Sequence, residues 1–141
     1  MLSVTLGAAL AGLEGYMVTV ECSGQRNLPA LSIVGLGDMA IREAKERLQA
    51  ATVNSGILFP ELELILNLAP ANRRKEGSSL DLAMLVSVLQ CGHVLPADLA
   101  FPDTCFIGEL SLSGAVRPLR GVLNMALAAK ASGIRTLFVP K

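Results

Sequence analysis

The stretch Gly108-Glu-Leu-Ser-Leu-Ser-Gly-Ala-Val-Arg-Pro-Leu-Arg-Gly121 constrains the fold of this chain more than any other. It predicts two short strands around the Ser113-Gly114 turn, a corner at Arg117-Pro118, and then a helix. Upstream, Lys75-Glu-Gly-Ser-Ser-Leu-Asp-Leu82 reads as a polar loop opening a second helix. With 141 residues the length fits one domain spanning 1–141. Such a domain buries roughly two-thirds of the surface its unfolded chain exposes.

Strands are expected over 2–10 and 16–22, joined by the Ala11-to-Gly15 turn, and over 30–34. A helix over 38–54 follows. Its apolar Ile41, Ala44, Leu48 and Ala51 recur at helical spacing, and Arg42, Glu43, Lys45, Glu46 and Arg47 cover the other side. Asp38 is the expected N-cap, and Glu43 to Arg47 is a favourable i,i+4 pair. Pro60 precedes a strand over 62–68, and Pro70 ends it. The helix over 79–91 is apolar nearly all round and so should be buried, with Ser78-x-x-Asp81 as its capping box. Strands over 104–108 and 115–118, a helix over 121–131 and a strand over 136–139 complete the order. The expected class is α+β, a two-layer α/β sandwich with a mixed sheet. The chain stops at Pro140-Lys141 directly after a strand, so a fragment of a longer protein is expected.

Twelve basic and twelve acidic side chains cancel, which removes any global electrostatic case for nucleic acid or membrane. No apolar run reaches the roughly 20 residues of a spanning helix, and residues 1–13 lack the basic start of a signal peptide. A cytoplasmic location is expected. Cys22, Cys91 and Cys105 form no C-x-x-C, so buried free thiols are the simplest reading. Aromatic residues are too few for base stacking. The lone histidine, His93, sits at a helix end, where the dipole suffices to explain it, so classical triad hydrolysis lacks support.

Gly35-Leu-Gly37-Asp-Met-Ala40 matches G-x-G-x-x-A formally, with Glu61 or Glu63 at the distance of a ribose-binding acid. However, the motif follows the third strand, and Asp38 sets a carboxylate where a pyrophosphate would lie. A glycine turn before a helix is the better reading. Lys75-Glu-Gly-Ser-Ser could hold an anion at a helix start, but the chain has no G-K-[ST], which argues against a self-contained ATPase. The basic run Arg73, Arg74 and Lys75, and Arg117 and Arg120 in a second loop, are the candidate contacts to a phosphate backbone or a protein partner.

Two resemblances use these motifs. Lon-type protease domains carry their nucleophile in Lys-Asp-Gly-Pro-Ser-Ala-Gly, which Lys75-Glu-Gly-Ser-Ser79 resembles, so Ser79 falls at the nucleophile position. Their dyad lysine lies two turns before Gly-Ile-Lys-Thr. Gly133-Ile-Arg-Thr136 aligns that helix and puts Met125 at the lysine position. Lys130 lies five residues further on, about 7.5 Å along the helix, too far to substitute. The resemblance implies the Lon-protease-like fold (that of the second domain of small-subunit ribosomal protein five) without its catalytic dyad.

The second resemblance runs the length of the chain. Val18-Thr-Val-Glu21, Leu28-Pro-Ala-Leu-Ser-Ile-Val-Gly-Leu36, Ala40-Ile-Arg-Glu-Ala-Lys-Glu-Arg47, Asn67-Leu-Ala-Pro-Ala71, Leu80-Asp-Leu82 and Gly108-Glu-Leu-Ser-Leu-Ser-Gly114 resemble the N-terminal domain of magnesium-chelatase-like AAA+ ATPases of the YifB/ComM type. The departures lie at Gly37, at Asn72 to Arg74 and at Leu80. The resemblance implies a non-catalytic domain that assists assembly or DNA and substrate handling by an ATP-driven homo-oligomeric ring, including DNA branch migration in competence. It implies no cofactor in this domain, with ATP and Mg in a downstream AAA+ module. The alternatives are a Ser79-dependent hydrolase and a pure oligomerisation module.

Overall fold

The computed structural model describes residues 1–73, 75, 77–96 and 98–141. Strands β1 (Leu2–Ala11) and β2 (Glu14–Gln25) form a long hairpin closed at Gly12 and Leu13. Gly12 takes a φ of +63°, which this tight turn needs and a side chain would oppose. Strand β3 (Ala30–Val34), helix α1 (Asp38–Asn54) and strand β4 (Glu63–Ala69) follow. The sheet order is β1-β2-β4-β3, with β3 parallel to β4 and the other pairs antiparallel. The mixed sheet expected from the sequence is therefore present.

One face of the sheet carries Val18, Val20, Cys22, Ile33, Leu64 and Leu66, every second residue of their strands. Over it lie α1, through Ala44, Leu48 and Ala51, and α2 (Asp81–Cys91), through Ala83, Met84 and Val88. The apolar periodicity of α1 set this contact, and its bounds match the expected 38–54. Helix α3 (Val122–Ala131) covers the other face of the hairpin, where Ala8, Met17, Met125 and Ala129 form a second cluster. Gly15 permits that approach. A Cβ there would lie 2.8 Å from the Met125 Cα, closer than carbon atoms pack.

Strands β5 (Thr104–Phe106) and β8 (Thr136–Phe138) pair in parallel, and β6 (Glu109–Leu110) and β7 (Val116–Arg117) form the small hairpin expected around Ser113-Gly114. The run expected as one strand over 104–108 breaks because Gly108 docks on the start of α2. Its N–H donates to the Ser79 carbonyl at 3.1 Å, and its own carbonyl accepts from the Leu82 N–H at 3.1 Å.

Both expected helix caps differ. Gly37 occupies the N-cap of α1, and Asp38 lies inside the first turn without a side-chain capping bond. Helix α2 begins at Asp81, two residues later than expected, with Leu80 at its cap. Ser78 and Asp81 have stronger partners elsewhere, so no capping box forms.

Candidate functional site

Ser79 sits in the turn before α2, 9% exposed, and its Oγ donates to the Ala8 carbonyl at 2.8 Å. Met125 reaches the same place from α3 and is 1% exposed. The two line a small cavity of about 120 Å³ with Leu10, Gly77, Leu119 and Arg120. The fold thus brings together the serine and the methionine that the Lon resemblance pairs, and adds Arg120 from the second loop. A serine nucleophile needs a base to take its proton, and a thioether cannot serve. Neighbouring Ser78 donates to the Glu109 carboxylate across the start of β6.

The candidate contact residues separate into two kinds. Arg73, Arg117 and Arg120 are exposed. The Arg73 guanidinium lies 4.6 Å over the Tyr16 ring, a cation–π contact that holds it on the surface of β2. Arg117 pairs in register with Glu109 across the small hairpin. Arg74 lies outside the described residues. Lys75 is a correction to the expected contact set: it is 1% exposed and turned inward. Its Nζ donates to the Pro70 carbonyl and, at 3.0 Å, to the Arg73 carbonyl. Burial lowers its pKa below the ordinary lysine value. The local cause is backbone pairing, because Leu36 beyond β3 bridges Lys75 and pulls the loop against the sheet.

The Gly35-Leu-Gly37 turn has a packing explanation. Gly35 has a φ of +110°, and a Cβ there would meet the Leu68 carbonyl oxygen at 2.7 Å. Close approach to β4 therefore requires a glycine, and no phosphate is needed to account for it.

An ion pair connects the elements around this region. Arg47 of α1 donates from Nε to Asp81 Oδ2 at 2.6 Å and from Nη2 to Oδ1 at 3.1 Å. The Leu110 N–H of β6 adds a third bond to Oδ2 at 3.1 Å. Burial pushes the Asp81 carboxyl up, while Arg47 and the Leu110 N–H pull it back toward the ionised form. The sequence showed Arg47 only as a surface partner of Glu43, which it approaches at 3.9 Å. The available signal was Asp81, the single acid of a helix that is otherwise apolar and buried.

Among the described residues, no group of three or more His, Cys, Asp or Glu side chains converges as a metal site would require. No helix among them is long and apolar enough to cross a membrane.

Comparison with known proteins places this geometry. Residues 20–141 match the family model described as subunit ChlI of Mg-chelatase. YifB of Escherichia coli is 35% identical over 140 residues, covering 99% of this chain and 27% of YifB. The competence protein ComM of Haemophilus influenzae is 31% identical over 140 residues, again 99% of this chain and 27% of the relative. Lon protease of Haemophilus influenzae is 29% identical over 144 residues, 96% of this chain and 17% of the protease, in keeping with the Lon-like arrangement of sheet and helices. The chain thus spans about a quarter of the length of YifB and ComM. With the family model matched over most of the chain, it belongs to the Mg-chelatase ChlI-subunit family, is similar to YifB and ComM over nearly its whole length, and has a Lon-protease-like fold.

Proposed function

We propose that this chain is the non-catalytic N-terminal domain of a magnesium-chelatase-like AAA+ ATPase, assisting assembly or DNA handling by an ATP-driven ring. The observation that carries the proposal is the cavity where Ser79 meets Met125. Ser79 Oγ is committed to the Ala8 carbonyl, and the residue in the position of the expected base has no basic atom. The one buried lysine nearby in sequence, Lys75, is held by two other carbonyls.

ATP and Mg are assigned to the part of the protein beyond this quarter-length. The described residues do not fit them: no G-K-[ST] occurs, and Asp38 places negative charge in the first turn of α1. The name competence protein, carried by ComM, supports a role in competence; DNA as the substrate and branch migration as the activity are the narrower form of this proposal. Within this domain the contact surface is Arg73, Arg117 and Arg120, together with Arg74.

The test uses the full-length protein. Replacing Arg73, Arg117 and Arg120 by Ala should weaken DNA binding alike across sequences. It should also flatten log K against log salt by about 0.9 for each phosphate no longer neutralised, with DNA-free ATP hydrolysis unchanged. Binding with an unaltered salt slope would remove these residues from any DNA interface. In parallel, a fluorophosphonate probe should leave the folded chain unlabelled. Labelling that disappears in Ser79→Ala would replace this reading with a hydrolase.

A further inference from the structure

The cavity of about 120 Å³ at Ser79 divides by chemistry. Ser79 and Met125, both buried, form its floor. Leu10 and Leu119, both half-buried, are its walls. Arg120 is exposed and stands at its mouth. Gly121 fixes that placement. Its φ is +80°, and a Cβ there would meet the Leu10 Cδ1 at 2.3 Å. A glycine is therefore needed for the loop that carries Arg120 to close on Leu10.

Of the polar side chains in this lining, the two hydroxyls are already committed. Ser79 gives its proton to the Ala8 carbonyl, and Ser78 gives its proton to the Glu109 carboxylate. A serine has one proton to donate, whereas an arginine presents several N–H donors in a planar fork. Among the described residues, Arg120 joins none of the ion pairs, which run from Arg47 to Glu43 and Asp81. Glu109, whose charge would oppose an anion, accepts from Ser78 and faces Arg117 in register across the small hairpin. Size and polarity then restrict the ligand. A cavity of about 150 Å³ takes a benzene ring, so this one takes a body of about four carbons. Phosphate fits badly, because a dianion with acceptors on every side would lose its water against Leu10, Leu119 and Met125. A carboxylate carries its charge at one end only. It matches the guanidinium fork with two parallel bonds and leaves an aliphatic tail for the apolar floor.

We propose that this cavity binds a short aliphatic carboxylate, its oxygens held by the Arg120 guanidinium and its tail packed on Leu10, Leu119 and Met125. Two sources present that chemistry: a free short-chain acid, and the C-terminal residue of a polypeptide with a small apolar side chain. Met125 gains a role in this arrangement, since a flexible thioether adapts to an aliphatic ligand and has no proton to exchange with Ser79. Ser79 keeps its bond to Ala8, so the ligand is held and not cleaved. The bound acid also neutralises Arg120, one of the exposed arginines of the proposed DNA surface, and so competes with a phosphate there. The inference rests on reading this cavity as non-catalytic, and the two fail separately. Fluorophosphonate labelling of Ser79 refutes that reading whether or not an acid binds, whereas absence of acid binding leaves it standing.

Methyl NMR of the protein, isotopically labelled at the methionine methyl groups, tests it. The Met125 signal is assigned by its loss in Met125→Leu. Butyrate should shift that signal saturably, with a Kd on the order of millimolar for so small a ligand. Met39, exposed on α1, is the internal control and should not move. Butanamide, the neutral isostere, should bind about tenfold more weakly or not at all. Arg120→Gln should weaken butyrate by about tenfold or more, and Arg117→Gln, exposed but off the cavity, should leave it unchanged. An N-acetylated tripeptide ending in valine separates the sources. Binding as tight as butyrate or tighter assigns the cavity to a polypeptide C-terminus, and weaker binding assigns it to a free acid. No saturable shift with either carboxylate overturns the proposal, as does equal binding of butanamide or undiminished binding in Arg120→Gln. The butanamide comparison uses the unaltered protein, so it decides even where Arg120→Gln disturbs the loop.

Discussion

Lys75 shows how one residue can invert its expected role. It stands in a basic run, yet its ammonium is buried against backbone carbonyls. Burial favours the neutral amine, so the folded pKa lies below the ordinary value of 10.5. Between the two values the unfolded chain holds a proton that the folded chain has released, and stability rises with pH across that window. The difference in unfolding free energy between the wild type and Lys75→Met should therefore grow in favour of the wild type as pH climbs toward 10.5. Urea titrations over that range check it, and a flat difference would show that the amine keeps its ordinary affinity for protons. Nothing in the run Arg73 to Lys75 announces this burial, because it depends on Leu36 bridging Lys75 across the chain. The Ser79–Met125 pairing, in contrast, was implied by the resemblance to Lon-type proteases, through the matches at Lys75 to Ser79 and at Gly133 to Thr136.

At the scale of elements, the Arg47–Asp81 pair joins α1 to α2, and the Leu110 N–H ties β6 to the same carboxylate. Removing one member of a buried pair leaves the other charge unpaired, at a cost of about 3–5 kcal/mol. Arg47→Met should lower stability by about 3 kcal/mol, or about 10 °C in Tm for a domain of this size. The double variant with Asp81→Leu should recover much of that loss, because it removes the stranded carboxylate. If calorimetry gives the same loss for both, the pair does not act as a unit. Periodicity revealed α1 to the residue, since its apolar stripe and polar face repeat over several turns. The start of α2 was misread because Ser78 and Asp81 suit a capping box locally, whereas Glu109 and Arg47 compete for them from distant segments.

Across the whole molecule, two apolar clusters lie on opposite faces of the hairpin, and the three cysteines are distributed between them. Cys22 and Cys91 belong to the larger and Cys105 to the smaller. Burial raises the pKa of Cys22 and pushes that of Cys105 up to about 12. The reactive thiolate is thus scarce and enclosed. Maleimide labelling of all three at neutral pH should require unfolding, and so be slowed about a thousandfold or more relative to the denatured chain, given a stability of at least about 5 kcal/mol. Rapid labelling of any one would mean that its cluster opens separately.

By itself the sequence determined the order of the main elements and the mixed α+β class, because apolar periodicity and turn residues act over short stretches, while its resemblance to known motifs pointed to the family. The tertiary structure alone decided which polar groups meet: Lys75 with carbonyls, Asp81 with Arg47, Arg120 beside Ser79. Those outcomes depend on distances between segments far apart in the chain. There a buried charge or an unpaired backbone group must find whatever partner the fold supplies.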